Sequence, residues 1–207
     1  YASRFTDELE RFLAIYTIFT PEQKAQLLTM ETMAKMTDVN KNLVKRYHDE
    51  TKGLDDSLSK MLYIDTRMSL PDNLLLFNDK ITMANSLEMR VPFLDIDLVK
   101  FIESLPINYK LRGRVRKYVH KKAAERWIPK EVIHRRKRGF ETPMDMWLQS
   151  KLSETTKELF LAKDSACRKF FNVEALCNMV DLHKARRENY SRHIFMILSF
   201  EIWYKSF

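Results

Sequence analysis

The chain has 207 residues, of which 45% are hydrophobic, 12% aromatic and 31% charged, with a net charge of +8. That size suits one domain, or a large and a small subdomain, with a packed core beneath a charged surface. No run approaches the ~20 apolar residues that span a bilayer, and no secretory pattern opens the chain, so neither a membrane partner nor export is expected.

Three glycines and long 3.6-residue apolar periods predict a mainly α-helical protein. Thr20-Pro21-Glu22-Gln23 reads as an N-cap, a first-turn proline and a capping-box partner, opening a helix to about Ala34. Leu54, Leu58, Met61, Leu62 and Asp65 mark a helix over 55–68, and Pro71 opens the next, with Leu74, Leu75, Asn78, Ile81 and Asn85 along one side. A sharp turn at Pro92 leads to a short helix from Asp97 to Ser104, with Asp95 as its N-cap and Pro106 as its stop. Gly113 precedes a basic helix running to about Trp127, and Pro129 opens a further turn of helix. Residues 135–142 read as a loop around Gly139, and Pro143 begins a helix containing Trp147. Asn172 caps a helix to about Arg187, and Ser191 to Phe207 is a strongly apolar, aromatic helix. No run alternates well enough to support a sheet.

The cysteines, Cys167 and Cys177, form no Cys-x-x-Cys pair and are read as reduced core thiols of a cytoplasmic protein. The five histidines show no metal-binding spacing, so no metal site is expected. The chain begins with Tyr1 rather than Met, which suggests a fragment or a processed product.

Between Lys110 and Arg138, thirteen Lys and Arg stand against Glu125 and Glu131. Such a field attracts nucleic acid, nucleotide phosphates or pyrophosphate, or is simply a solvated face. Within it, Arg135-Arg136-Lys137-Arg138 precedes Gly139, a pattern suited to a loop closing over phosphate. A lysine there can balance charge that develops on a phosphoryl group or on departing pyrophosphate. Arg135 and Arg136 are therefore candidates beside phosphate.

The stretch Leu70–Asp95 embeds Asp79, Glu88 and Arg90 in apolar sequence. Unpaired charges are costly to bury, so either Glu88 and Arg90 fix the turn through ion pairs to neighbouring helices, or they touch a ligand. No glycine-rich phosphate loop or Ser-Gly-Gly-x-Asp-Ser run is present. The chain is not expected to cradle ATP phosphates on its own.

In order, Leu70-Pro71-Asp72-Asn73-Leu74-Leu75, Asp79, Met83 through Asp95, Lys117, Ile128-Pro129, Arg135, Lys137, Gly139, Phe140, Pro143, Trp147 and the tail from Ser191 to Trp203 resemble the asparagine synthetase (glutamine-hydrolysing) family. They resemble the C-terminal part of its ATP-dependent synthetase domain. The resemblance implies an adenine nucleotide alpha hydrolase-like (ATP pyrophosphatase) α/β domain, represented here by its helical part without the nucleotide-binding sheet. Residues 61–207 would be family core and 1–60 a helical insert. It further implies that ATP, with Mg2+, adenylates the side chain of aspartate, and that ammonia released from glutamine displaces AMP. By the same resemblance Lys137 matches the catalytic lysine, and Asp79, Glu88 and Arg90 match positions lining the cleft. The implied partners are the N-terminal glutaminase and nucleotide-binding portions, in an enzyme that forms a homodimer. The fragment alone is expected to be inactive. The alternatives are a relative amidating another carboxylate, or a basic all-helical nucleic-acid-binding module, which lacks stacked aromatics in a recognisable run.

Overall fold

A computed structural model describes residues 6–136 and 143–207. Helix α1 (Glu8–Tyr16) begins after Asp7, whose carboxylate accepts the Glu10 N–H at 2.8 Å. The capping box at Thr20 is formed as read from the sequence: its hydroxyl accepts the Gln23 N–H and Gln23 Oε1 accepts the Thr20 N–H. The helix expected to reach Ala34 is two helices, α2 (Pro21–Leu27) and α3 (Met30–Lys35). Leu28 and Thr29 between them are extended, and the residues flanking Leu28 bond to a distant segment. The Thr29 N–H donates to the Phe170 carbonyl (3.1 Å), and the Asn172 N–H donates to the Leu27 carbonyl (2.8 Å). These tertiary bonds replace intrahelical ones that local sequence would favour.

Next come α4 (Val39–Glu50) and α5 (Ser57–Arg67), the latter capped by Asp56, close to the predicted limits. Pro71 does not open a new helix. It lies inside a wide π-helical turn, Ser69–Leu75, which runs on into α6 (Leu76–Ala84). Lacking an N–H, proline cannot make the regular bond to the preceding turn, and the ladder re-forms at wider spacing, the Leu76 N–H donating to the Pro71 carbonyl. A 3-10 turn, Pro92–Leu94, is followed by α7 (Ile96–Ser104) and α8 (Ile107–Lys110).

A small hairpin then corrects the expectation of no sheet: β1 (Leu111–Arg112) pairs antiparallel with β2 (Val115–Arg116), Leu111 opposite Arg116 and Arg112 opposite Val115. Gly113 turns it at φ 57°, a conformation glycine takes at no steric cost. The basic helix is correspondingly shorter than predicted, α9 (Tyr118–Ala124). It is followed by α10 (Lys130–His134), α11 (Met144–Gln149), α12 (Lys151–Leu161), α13 (Cys167–Phe170), α14 (Val173–Lys184) and α15 (Ser191–Ser206). Asn172 caps α14 as expected, accepting the Ala175 N–H. No helix among the described residues is long and apolar enough to cross a membrane.

The chain divides into two units, Tyr1–Ile15 with Val39–Arg138, and Tyr16–Asp38 with Gly139–Phe207. In the second, α12 packs along α14, and both meet α11. Their core is Leu27, Leu148, Phe160, Cys167, Leu176, Met179, Val180, Ile194 and Ile197. In the first, Phe12, Val44, Thr51 and Ile64 are buried. The Glu8 carboxylate ties α1 to α4 and α5 through Lys60 Nζ (2.8 Å), Ser57 Oγ (2.5 Å) and His48 Nε2 (3.2 Å). Hydrogen bonds from Lys60 and then Ser57 hold that carboxyl down to about 2. Among the described residues from 65 to 136, no side chain is buried.

Candidate active site

In α6 three polar side chains bond back to carbonyls one turn earlier: Asn78 to Leu74 (2.6 Å), Thr82 to Asn78 (2.9 Å) and Asn85 to Ile81 (2.9 Å). Asp79 is exposed on the same helix. The helix ends in a Schellman turn, with the Leu87 N–H on the Thr82 carbonyl (2.9 Å) and the Ser86 N–H on that of Met83 (3.0 Å). Ser86 thereby takes φ 58°, where glycine is usual. Ser86→Gly is expected to stabilise the chain by about 0.5–1 kcal/mol, because it removes the Cβ clash at a small entropic cost. Urea denaturation reads this directly, and a lowered midpoint would mean that the serine side chain supports the turn.

Among the described residues Glu88 and Arg90 pair with each other and not with neighbouring helices: Arg90 Nη2 lies 2.8 Å from Glu88 Oε1, with side chains 82% and 69% exposed respectively. A pair so open to solvent adds little stability. Asp95 is the N-cap expected of it; Oδ1 accepts the N–H groups of Asp97 (3.1 Å) and Leu98 (3.0 Å). Phe93, at the 3-10 turn, meets the His120 ring edge-on at 5.4 Å, joining the turn to α9.

Lys117 precedes α9 rather than lying within it and adopts φ 57°. Beside it, Arg112 donates to the Tyr118 hydroxyl at 2.6 Å and stands 5.0 Å from the centre of its ring. Glu125 offsets part of the basic field. It pairs with Lys122 (3.1 Å), whose ammonium holds the carboxyl below its usual range, and lies 3.8 Å from His134. Arg135 and Arg136 follow α10 and are exposed. No ion pair or side-chain hydrogen bond among the described residues joins Asp79, Arg135 or Arg136 to the Glu88–Arg90 pair. Lys137, expected to carry the chemistry, lies outside the described residues.

Asp79, Glu88, Arg90, Arg135 and Arg136 are all open to solvent. The cations among them suit phosphate, but no glycine-lined cradle accompanies them among the described residues, and no group of three or more His, Cys, Asp or Glu there could hold a metal ion. ATP and Mg2+ therefore fit this chain only in part.

A sequence profile of asparagine synthase matches residues 3–205. The chain belongs to the asparagine synthase family. Its synthetase domain is nucleotide alpha hydrolase-like, and the present chain supplies a mainly helical part of it. Asparagine synthetase (glutamine-hydrolysing) 1 of Bacillus subtilis is 31% identical over 198 residues, which cover 94% of this chain and 30% of that protein. A putative asparagine synthetase (glutamine-hydrolysing) of Mycobacterium bovis is 33% identical over 153 residues, 73% of this chain and 23% of that protein. Amidase chyE of Penicillium rubens is 27% identical over 128 residues, 58% of this chain and 18% of that protein. The chain thus spans less than a third of the length of these relatives. No solved structure gives a significant match.

Two features of the family chain escaped the sequence reading. The left-handed residues Ser86 and Lys117 carry no composition signal, since neither is glycine or asparagine. The buried His183 and Glu201 do carry one, as polar residues in the core register of α14 and α15.

Proposed function

We propose that this chain is the C-terminal helical portion of a glutamine-dependent asparagine synthetase. In that enzyme an oxygen of the aspartate side-chain carboxylate attacks the α-phosphorus of ATP, and the bond to pyrophosphate breaks. Ammonia from glutamine then attacks the acyl carbon of the aspartyl adenylate, AMP leaves, and the nitrogen loses a proton to give the amide. Lys137 balances the charge developing on pyrophosphate, Arg135 and Arg136 stand beside it, and Asp79, Glu88 and Arg90 line the cleft.

One observation carries this reading. The segment bearing the family motifs, from 65 to 136, buries none of its described side chains and leaves Phe77, Phe93 and Phe101 more than half exposed. A folded segment with its apolar side open takes its core from elsewhere. The relatives, three to four times longer than the matched region, carry enough further chain to supply it. We assign that role to the nucleotide-binding portion of the same synthetase, which makes the isolated 207-residue chain inactive.

Lys137→Met in the full-length enzyme is expected to lower ATP-dependent amide formation by about 10²-fold or more. Turnover near the unsubstituted rate would remove Lys137 from the chemistry. A second reading rests on a relative named as an amidase rather than an asparagine synthetase: this chain's enzyme would act on a carboxylate other than aspartate. Amide formation across a panel of carboxylates separates the two.

A further inference from the structure

Helix α15 is apolar on nearly every side, yet only one side of it enters the core of the second unit. Ile194, Ile197 and Glu201 face inward and are buried. On the opposite side Phe195, Met196, Ile202 and Trp203 are between 44% and 60% exposed. A helix that is apolar all round is ordinarily covered all round. One such side chain in water needs no explanation, but four on a single helix face mark a contact surface.

The order of residues along that face identifies what covers it. Ser199 stands at its centre and is exposed. Met196 and Phe195 stand three and four positions before it, and Ile202 and Trp203 three and four positions after it. Steps of three and four keep all five on one stripe, which reads the same in both directions: two large side chains, one small, two large. The hydroxyls on this side are already satisfied, Ser199 Oγ donating to the Phe195 carbonyl (2.8 Å) and Ser206 Oγ to that of Ile202 (2.8 Å). Burial would strand neither of them. The one charged residue between Phe195 and Trp203 is Glu201, and it points into the core.

A stripe symmetric about a small residue is what a contact between identical copies requires, because there each residue i meets j of the other copy and j meets i. An unrelated segment of chain would impose no such order. We infer that α15 is a self-association surface: it pairs antiparallel with α15 of a second copy and crosses it at Ser199. Phe195 then packs on the partner's Trp203 and Met196 on the partner's Ile202, while the two serines let the helix axes approach. Arg192, seven residues before the crossing, lies ~21 Å along the helix from its own counterpart, well beyond the reach of screened repulsion. Phe207, whose ring is 6.1 Å from that of Trp203, lengthens the stripe. With these side chains covered, each copy would lose on the order of 600 Å² of surface, most of the ~800 Å² that one partner buries at a standard interface. The pairing is independent of the chemistry proposed for Lys137.

The test is cysteine cross-linking in the full-length protein under mild oxidation, with the unsubstituted protein as the control for native thiols. For helix axes about 8–10 Å apart, the two Cα atoms at position 199 lie about 5 Å from each other, within disulfide reach. Position 195 stands ~6 Å along the helix from the crossing, so it is ~12 Å from its own counterpart and out of reach. Ser199→Cys is expected to give at least ~10-fold more covalent dimer than Phe195→Cys or Trp203→Cys alone, and a mixture of those two to give the mixed dimer. Equal coupling at all three positions would reveal unspecific contact and overturn the inference. A thiol at 199 that neither couples nor reacts with iodoacetamide would show the face covered by the rest of its own chain, and one that reacts without coupling would show it bare; either result overturns the inference. Ser199→Arg sets two like charges against each other at the crossing and is expected to weaken self-association at least ~100-fold in sedimentation equilibrium. Association unchanged in that variant overturns the inference equally.

Discussion

Glu201→Ala is expected to destabilise the second unit by about 3–5 kcal/mol, the range for removing one member of a buried, hydrogen-bonded charge cluster. The Glu201 side chain is 1% exposed. It accepts the Cys167 N–H (2.9 Å), the Ser165 hydroxyl (3.0 Å) and the Ala166 N–H (3.3 Å), and Lys205 Nζ lies 3.2 Å away. Helix α13 is one turn long and has no side-chain cap of its own, so this carboxylate serves as its cap from α15. Alanine would leave two buried donors, the Ser165 hydroxyl and the Ala166 N–H, without an acceptor, each costing about 1–3 kcal/mol if water does not reach it, and the Cys167 N–H with Ser165 Oγ at 3.1 Å alone. Burial pushes the Glu201 carboxyl up, but the bonds from Cys167, Ser165 and Lys205 together outweigh it and leave it below the usual glutamate value. A carboxyl lowered in the folded state stabilises above its unfolded value, near 4.3, and that contribution fades as pH falls through the folded value. The difference in urea between the unsubstituted chain and the Glu201→Ala variant should therefore be full at pH 7 and shrink in acid below about pH 4. A constant difference across that range would assign the loss to packing rather than to the charge. The same cluster explains an inert thiol: burial, then Glu201, pushes Cys167 up to about 12.

What was legible in the sequence was local. Thr20, Asp95 and Asn172 cap helices because side chain and N–H lie within three residues of each other, and no distant group is needed. The long apolar periods of α14 and α15 likewise placed themselves. The misreadings arose where a distant partner or a backbone irregularity intervened. The Leu27 carbonyl and the Thr29 N–H bond to 170–172 instead of continuing the helix, Pro71 widens a turn instead of starting one, and Lys117 bends left-handed ahead of α9. For the site, ordered motifs marked the family, yet residue type alone could not show that Glu88 and Arg90 pair with one another in solvent. His183 and Glu201 were readable in principle. Leu176, Met179 and Val180 set the register into which His183 falls, and Ile194 and Ile197 do the same for Glu201. A polar residue in such a register needs a partner, and the partner's identity is tertiary information.

Hydrogen exchange is expected to split the isolated chain sharply. Amides of α12 and α14 should exchange only by global opening of the second unit, since Phe160, Leu176 and Val180 come out of the core together. Amides of α6 and α7 should exchange far faster despite intact helical bonds. Phe77 and Ile81 lie one turn apart on α6, and Leu98 and Phe101 on α7, yet all four are between 37% and 60% exposed. Opening these helices therefore uncovers little apolar surface that water does not already reach. Fully burying such side chains yields about 1.5–3 kcal/mol each, and those already half-covered would add roughly 1 kcal/mol apiece. Four of them amount to ~4 kcal/mol, or about a thousandfold in protection, once the remainder of the synthetase covers this face. The measurement compares α6 and α7 amides in the isolated chain and in the full-length enzyme. Equal protection in the two would mean that the apolar stripe stays in solvent, and the family motifs would then not form the inner wall of a larger domain. A gain confined to α6, α7 and the Pro92 turn would locate that wall at the segment holding Asp79, Glu88 and Arg90.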